Sequence, residues 1–212
     1  MKNLTKLLLI AIIFSLSNNM WAQKFGVKAG LNLANMLIKD DQSESNTKMK
    51  IGFHIGGVGE MSINEMISLE AGLLLSTKGY KAEESGVKTT CNLMYIDIPI
   101  DAKAKFDVGG LKVFGFAGPY FGMGLSGKTK TEGDVMGVSM NSEDDIKWGS
   151  GDDAMLKRLD FGLTVGAGVQ IDAIEVSLAY NLGLANISAT TDGGSKVKNK
   201  VIGLSVAYKF GK

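Results

Sequence analysis

The sequence predicts an all-β chain, an eight-stranded antiparallel up-and-down transmembrane β-barrel that follows an N-terminal signal peptide. Three observations carry that prediction. The last stretch, 201–210, places Ile202, Leu204, Val206, Tyr208 and Phe210 on one face and Val201, Gly203, Ser205, Ala207 and Lys209 on the other. A period of two is the signature of a strand. A face of small residues opposite a greasy one suits a narrow lumen with lipid outside. The same alternation recurs along the chain, in segments separated by long and short connections in turn. Only the N-terminus holds an apolar run, and it is too short for a spanning helix.

That N-terminal segment, 1–22, has the form of a secretory signal. Lys2 and Lys6 precede an apolar run over 7–16, and Ala22 offers a cleavage position. The run falls short of the ~20 apolar residues that a membrane-crossing helix needs. The chain therefore divides into 1–22, the signal peptide, and 23–212, the barrel domain. The whole chain carries 23 Lys+Arg against 22 Asp+Glu. So even a balance gives no electrostatic reason to expect nucleic acid. A single cysteine, Cys91, excludes a disulfide framework and a cysteine-based metal cluster.

The first strand, 23–33, turns Phe25, Val27, Leu31 and Leu33 outward, and Lys28 inward. After a polar stretch, 34–48, the second strand spans 49–60 with His54 and Glu60 inward. A short turn, 61–65, leads to a third strand over 66–78, where Glu70 faces inward and Leu74 alone breaks the alternation. A second polar loop is expected at 79–92, with Cys91 as a free and inert thiol within it. The fourth strand, 93–106, sets Asp97, Asp101, Lys103 and Lys105 opposite a row of isoleucines and alanines. After a Gly-Gly turn at 107–110, the strand 111–125 is ambiguous in register, and Gly118-Pro119 suggests a bulge. The longest polar segment, 126–157, contains seven acidic and four basic residues. Strands over 158–171 and 174–187 follow, joined by a two-residue turn at 172–173, with Glu175 inward. A polar loop, 188–198, precedes the closing strand. Long outer loops, short inner turns and an even strand number are the habit of outer-membrane barrels. Phe25, Phe106 and Phe210 fall at the inner ends of their strands, where an aromatic girdle belongs.

The segments KFGVKAGLNLANM, IGFHIGGVGE, ISLEAGLLLSTKGY, YIDIPIDAKAKF, GFAGPYFGMGL and the terminal VAYKF occur in this order. Together they resemble the outer-membrane β-barrel family of Bacteroidetes-type bacteria, the porin-family or PorT-like proteins. The resemblance spans 23–212 and implies an eight-stranded barrel in the outer membrane of a Gram-negative bacterium. Gly211 and Lys212 depart from it by extending past the terminal aromatic residue.

The inward polar set is Lys28, His54, Glu60, Glu70, Asp97, Asp101, Lys103, Lys105, Glu175 and Lys209. An eight-stranded lumen is just wide enough for side chains to fill, and buried charges persist when paired. These residues are expected to form a structural plug of ion pairs. His54, the lone histidine, sits mid-barrel rather than at a rim, which disfavours a hydrolytic triad. The run EDDIKWGSGDD lacks the ligand spacing and closing glutamate of an EF-hand. No catalytic residue, cofactor site or metal site is assigned. Trp148, Met136 and Met140 are the candidate partner contacts of the 126–157 loop, with Trp148 expected to be exposed. The expected function is a non-catalytic, monomeric outer-membrane barrel acting structurally or through its outer loops. Its partners would be outer-membrane lipid, the barrel-assembly machinery and a surface partner at that loop. A narrow channel for ions or small solutes, and a soluble exported lipocalin-like carrier of an apolar ligand, remain as alternatives.

Overall fold

In a computed structural model the chain is described over residues 23–39, 44–84, 86–135, 138–151, 153–190 and 194–211. Residues 1–22, the expected signal, lie outside this range. The strands are β1 (Gln23–Lys39), β2 (Glu44–Asn46), β3 (Lys50–Ser62), β4 (Ile67–Glu84), β5 (Val87–Val108), β6 (Leu111–Val135), β7 (Val138–Asp145), β8 (Leu159–Ile171), β9 (Ile174–Gly183) and β10 (Lys196–Phe210). All pairings between these strands are antiparallel, and β1, β3, β4, β5, β6, β8, β9 and β10 form a ring closed by β10 on β1. The closing register runs from Phe25↔Phe210 to Lys39↔Lys196. Closure removes the sheet edges that a lipid environment forbids. The two remaining strands are appendages: among the described residues β2 pairs only with β1, and β7 only with β6.

Side chains alternate as the period of two requires. Outward on the wall lie Leu31, Ile51, Leu73, Phe121, Val165, Leu178 and Val206, all exposed. Phe25, Phe106 and Phe210 are also exposed, and Phe25 pairs directly with Phe210 at the seam. A wall this greasy suits lipid and would be a poor soluble surface. The inner turns are short. Gly109 and Gly110 both take positive φ, as a tight hairpin turn requires. Asp172 opens the 172–173 turn at φ 50°. β6 shows which of its two competing faces turns inward: Phe114, Phe116 and Tyr120 are buried, while Val113, Phe121 and Met123 are exposed.

The outer connections differ from expectation. The 79–92 stretch is no loop: β4 and β5 stay paired up to Glu84↔Val87. The 126–157 segment likewise begins as β6, paired on one edge to β5 as far as Gly133 and on the other to β7 from Lys128 to Val135. These extensions hold apolar residues inside and polar ones outside, the reverse of the lipid-embedded wall, so the greasy-outward pattern stops while the strands continue. The bulge is displaced as well. Register is unbroken around Gly118-Pro119, and the shift falls where Tyr95 faces Gly124 and Met94 faces Ser126, leaving Leu125 extra. Cys91 is not in a loop but buried within β5.

Candidate functional site

The lumen and its outer mouth are filled in three tiers. At the floor, near the short turns, β4 contributes Glu70, β5 Lys103 and Lys105, β3 Glu60, β9 Glu175, β1 Lys28 and β10 Lys209. Strand alternation alone brings these side chains together from six strands. Glu70 accepts from Lys28 at 2.5 Å and from Lys103 at 2.8 Å, and it also receives Lys209. Lys103 donates to Glu175 at 2.8 Å. Lys105 reaches Glu60 at 2.5 Å and Gln170 at 3.2 Å. Lys103, Lys105 and Lys209 each have more than one partner, Lys209 lying also 3.3 Å from Glu60, whereas Lys28 pairs with Glu70. Glu60, Glu70 and Glu175 bring carboxylate oxygens within 4.8 Å of one another, close enough to hold a cation. Lysine ammonium groups already supply that positive charge, so the triad does not fit a metal centre.

Above the floor His54 joins two neighbours. Its Nδ1 is 2.8 Å from Asn32 Oδ1, and its Nε2 is 2.9 Å from Ser205 Oγ. Asn32 in turn donates to Ser76 Oγ and to the carbonyls of Phe53 and Thr77, each at 3.1 Å. Those carbonyls lie where β3 and β4 part, above the His54↔Ser76 pair. Gly30 makes the arrangement possible, because a Cβ there would stand 2.5 Å from the imidazole. Hydroxyl, imidazole and amide share the connectivity of a nucleophile, base and orienting group. They face a cavity of about 60 Å³. At about 10–15 Å³ per water, that space takes a few waters and no ester substrate.

The third tier is a lysine cage, of which the polar set expected from sequence held Asp97 but neither Lys78 nor Asp160. Lys78 on β4, 2 % exposed, donates to Asp97 at 2.9 Å and to Asp160 at 3.1 Å. Its ammonium also stands over the rings of Tyr95 at 4.5 Å and Tyr120 at 4.7 Å. Tyr120 Oη and Asn199 Nδ2 both donate to Asp160, at 3.3 and 2.9 Å. Parity could have found this tier. Lys78 shares the face of Glu70, and Asp160 that of Gly162, but both stood at expected strand ends.

All ten inward polar residues expected from sequence lie inside the barrel. Lys28, His54, Glu60, Glu70, Asp101, Lys103, Glu175 and Lys209 are buried, while the side chains of Asp97 and Lys105 are 13 % and 12 % exposed. They do not form one cluster: Asp97 belongs to the upper cage, His54 to the middle, and Asp101 to no ion pair among the described residues.

Over the cage sits an apolar core of Met36, Cys91, Leu93, Tyr95, Ile146, Ala185 and Ile187. The segment after β7 crosses the mouth and is tied down by Ile146 N to Gly127 O and Lys157 N to Ile187 O, both 2.8 Å. Trp148, expected to be exposed, is instead half-buried. Its ring meets Tyr95 edge-on at 5.6 Å, with Arg158 6.0 Å from its centroid. Gly124 leaves room for it, since a Cβ there would stand 2.5 Å from the indole. Burial pushes the Cys91 thiol up from its ordinary pKa. Of the other loop candidates, Met136 lies outside the described residues, as does the side chain of Met140.

A search of curated proteins by sequence found no match. Among solved structures, the chain is similar to the attachment invasion locus protein Ail of Yersinia pestis. The identity is 16 %, over 89 % of this chain and 99 % of that one, with a TM-score of 0.43. It is similar to Neisserial surface protein A at 17 % identity, over 88 % and 97 % of the two chains, with a TM-score of 0.44. The N-terminal β-barrel domain of Pseudomonas aeruginosa OprF follows at 11 % identity, over 86 % and 97 %, with a TM-score of 0.33. The family model described as outer membrane protein beta-barrel domain matches residues 21–189, nearly all of the ring short of its closing strand. With the greasy outer wall, the closed antiparallel ring and that match together, the chain belongs to the outer membrane protein β-barrel domain family.

Proposed function

We propose that the chain is exported by its 1–22 segment and resides in the outer membrane as a closed, non-catalytic barrel. Its working surface is the outer extension of β4 to β7. One observation carries this reading: the lumen is obstructed at two levels by unlike means. The floor is blocked by lysines and glutamates that satisfy one another, and the mouth by an apolar core under Trp148. An ion would have to break buried pairs below and displace packed side chains above, both costly. The outer wall is committed to lipid, so the exposed hairpin of β6 and β7 is left for recognition. Glu143, Asp144 and Asp145 are exposed there, and Lys128 pairs with Glu143 at 2.5 Å on its surface. An acidic run favours a partner with basic character.

Two measurements test this. The purified barrel in planar bilayers is expected to give no stable conductance steps, and reproducible open steps would replace the closed barrel with a channel. Replacing residues 127–156 with a short Gly-Asn turn is expected to leave a folded, heat-modifiable barrel that loses its surface partner. Retention of every partner by that variant would move recognition elsewhere.

A further inference from the structure

Between β3 and β4 the wall parts at the upper end of the greasy band. Their ladder runs up to His54↔Ser76 and resumes as a single bridge at Lys48↔Lys81, where the two amides donate to the opposite carbonyls at 2.8 and 3.1 Å. In between, residues 49–53 and residues 77–80 stand outside the ladder. Thr77 stitches the lower end, its Oγ1 accepting from Phe53 N at 2.7 Å. Backbone groups of alternate residues point the same way along an antiparallel strand, so the Ile51 amide faces the gap as that of Phe53 does. An amide left open at lipid depth is costly.

The gap gives onto an outward groove of about 440 Å³, a size that suits a small polar group with part of a chain. Ile51, Phe53 and Met94 form its apolar lower wall, and Ile51 and Phe53 are exposed. Lys128 and Lys130 stand on its upper rim, each holding a glutamate at 2.5 Å, Glu143 and Glu132. Asp145, also on the rim, lies across the ladder from Lys128.

Lys50 lines the groove from the gap and has no such match. It is 7 % exposed, and its Nζ lies 3.4 Å from the Ile51 carbonyl, a long contact for a hydrogen bond. No carboxylate among the described residues pairs with it, and its nearby cation is Lys81. Asp101, the interior carboxylate outside the ion pairs, is too far away to answer it. Asp101 is level with Glu60 across β4, and Glu60 lies ten residues down β3 from Lys50, about 30 Å of strand. A buried ammonium without an anion is a feature a fold keeps at a cost.

We infer that this groove binds the anionic phosphate headgroup of an outer-leaflet lipid, with the Lys50 ammonium and the Ile51 amide as donors. The acyl chains lie on Ile51, Phe53 and Met94. Position selects a lipid over a free anion: the donors stand where the greasy band ends, which is where headgroups lie, and the apolar residues run down from them on the lipid face. A phosphate answers the ammonium and keeps oxygens for the amide. A zwitterionic headgroup would bring its own cation next to Lys50. The site goes beyond the surface role of the outer hairpin and needs no protein partner.

The test uses the folded full-length barrel in the neutral detergent dodecyl maltoside at pH 7.5. Dimyristoylphosphatidic acid, dimyristoylphosphatidylcholine and inorganic phosphate are each titrated in, and native mass spectrometry counts what stays bound. The parent is expected to hold one phosphatidic acid at least about tenfold more tightly than phosphatidylcholine, as a charge-assisted bond allows. Inorganic phosphate in large excess should not displace it. Lys50→Gln should lose the preference, while Lys88→Gln, at an exposed lysine outside the groove, should keep it. A parent without the preference overturns the proposal, as does a Lys50→Gln barrel that retains it. Displacement by inorganic phosphate would make this a site for a free anion and overturn the lipid. Crystals of the parent grown with phosphatidic acid carrying bromine on its chains give a reading independent of any variant. An anomalous peak along Ile51 and Phe53 supports the site, and a groove without one overturns it.

Discussion

The lipid-embedded wall and the outer extension are built from the same strands, yet their polarity is opposite. Along the lower part of β5, Ile96, Ile98 and Ile100 point out, while Asp97, Asp101 and Lys103 point in. Higher on the same strand Lys88 and Asn92 point out, and Cys91, Leu93 and Tyr95 point in. On β5 the inward parity carries through unbroken, while β6 takes up one extra residue, Leu125, at the crossing; what changes is the solvent outside the wall. Where lipid surrounds the barrel, the polar side chains gather inside and neutralise one another. Where water surrounds it, the apolar ones gather inside and the chain packs like a soluble protein. The two regions therefore fail in different ways when a residue is exchanged.

The largest expected effect is at the floor. Glu70→Ala leaves Lys28, Lys103 and Lys209 short of a shared acceptor in a poorly solvated interior. Loss of one partner from a buried pair costs about 3–5 kcal/mol, and the heat-modification midpoint should fall accordingly. Asp97→Ala should cost less, because Asp160 still holds Lys78 at 3.1 Å. In the outer hairpin Glu143→Ala should leave the midpoint unchanged, since its pair with Lys128 is exposed to water. A midpoint equally indifferent to Glu70→Ala would mean that water reaches the floor, and the closed lumen would be lost with it.

A second, smaller effect separates the regions on their outward face alone. Leu178→Arg and Val206→Arg place a guanidinium against the lipid, at a cost of about 2–4 kcal/mol near the bilayer midplane. Asn92→Arg lies on the same outward face but above the greasy band, where the cost should stay within about 0.5 kcal/mol. Folding yield into liposomes, followed by heat-modifiable mobility, checks all three. If Asn92→Arg harms assembly as much as Leu178→Arg, the boundary between the two polarities lies higher than Met94.

The same contrast decides how much of the molecule was legible in the sequence. The ring, its strand number, its short turns and the inward set from Lys28 to Lys209 follow from alternation with the greasy face outward. Lys78 and Asp160 obey that parity too, but they sit where the greasy face runs out, so the strands were ended at or beside them. The mouth core was illegible for a related reason. Cys91, Leu93 and Trp148 lie in stretches whose outward residues are polar, and polarity without lipid contrast resembles a loop. The direction in which Trp148 points depends on a bend after β7 and on the space left by Gly124, neither of which has a local sequence period.

The smallest effect concerns the lid over the mouth. Trp148 closes on Tyr95 edge-to-face and lies above a core that contains Cys91. Such an aromatic contact is worth about 0.5–1.5 kcal/mol beyond its buried area. Trp148→Ala should therefore leave the barrel folded while favouring local opening of the mouth by about that amount. Opening free energy sets how often a buried group meets solvent, and about 1.4 kcal/mol corresponds to a tenfold change. Alkylation of Cys91 by a water-soluble maleimide offers the readout. In the parent it should be slow at pH 8, because the thiol is buried and burial holds its pKa above the ordinary value, leaving little thiolate. In Trp148→Ala it should run several-fold faster. Its rise with pH should also begin earlier, because a more solvated thiol ionises nearer its ordinary range. Replacing Met61, on the short-turn side of the barrel, should leave the rate at the parent's value. A Trp148→Ala barrel with unchanged Cys91 reactivity at every pH would show that the packed strands above the membrane, rather than the tryptophan, seal the mouth.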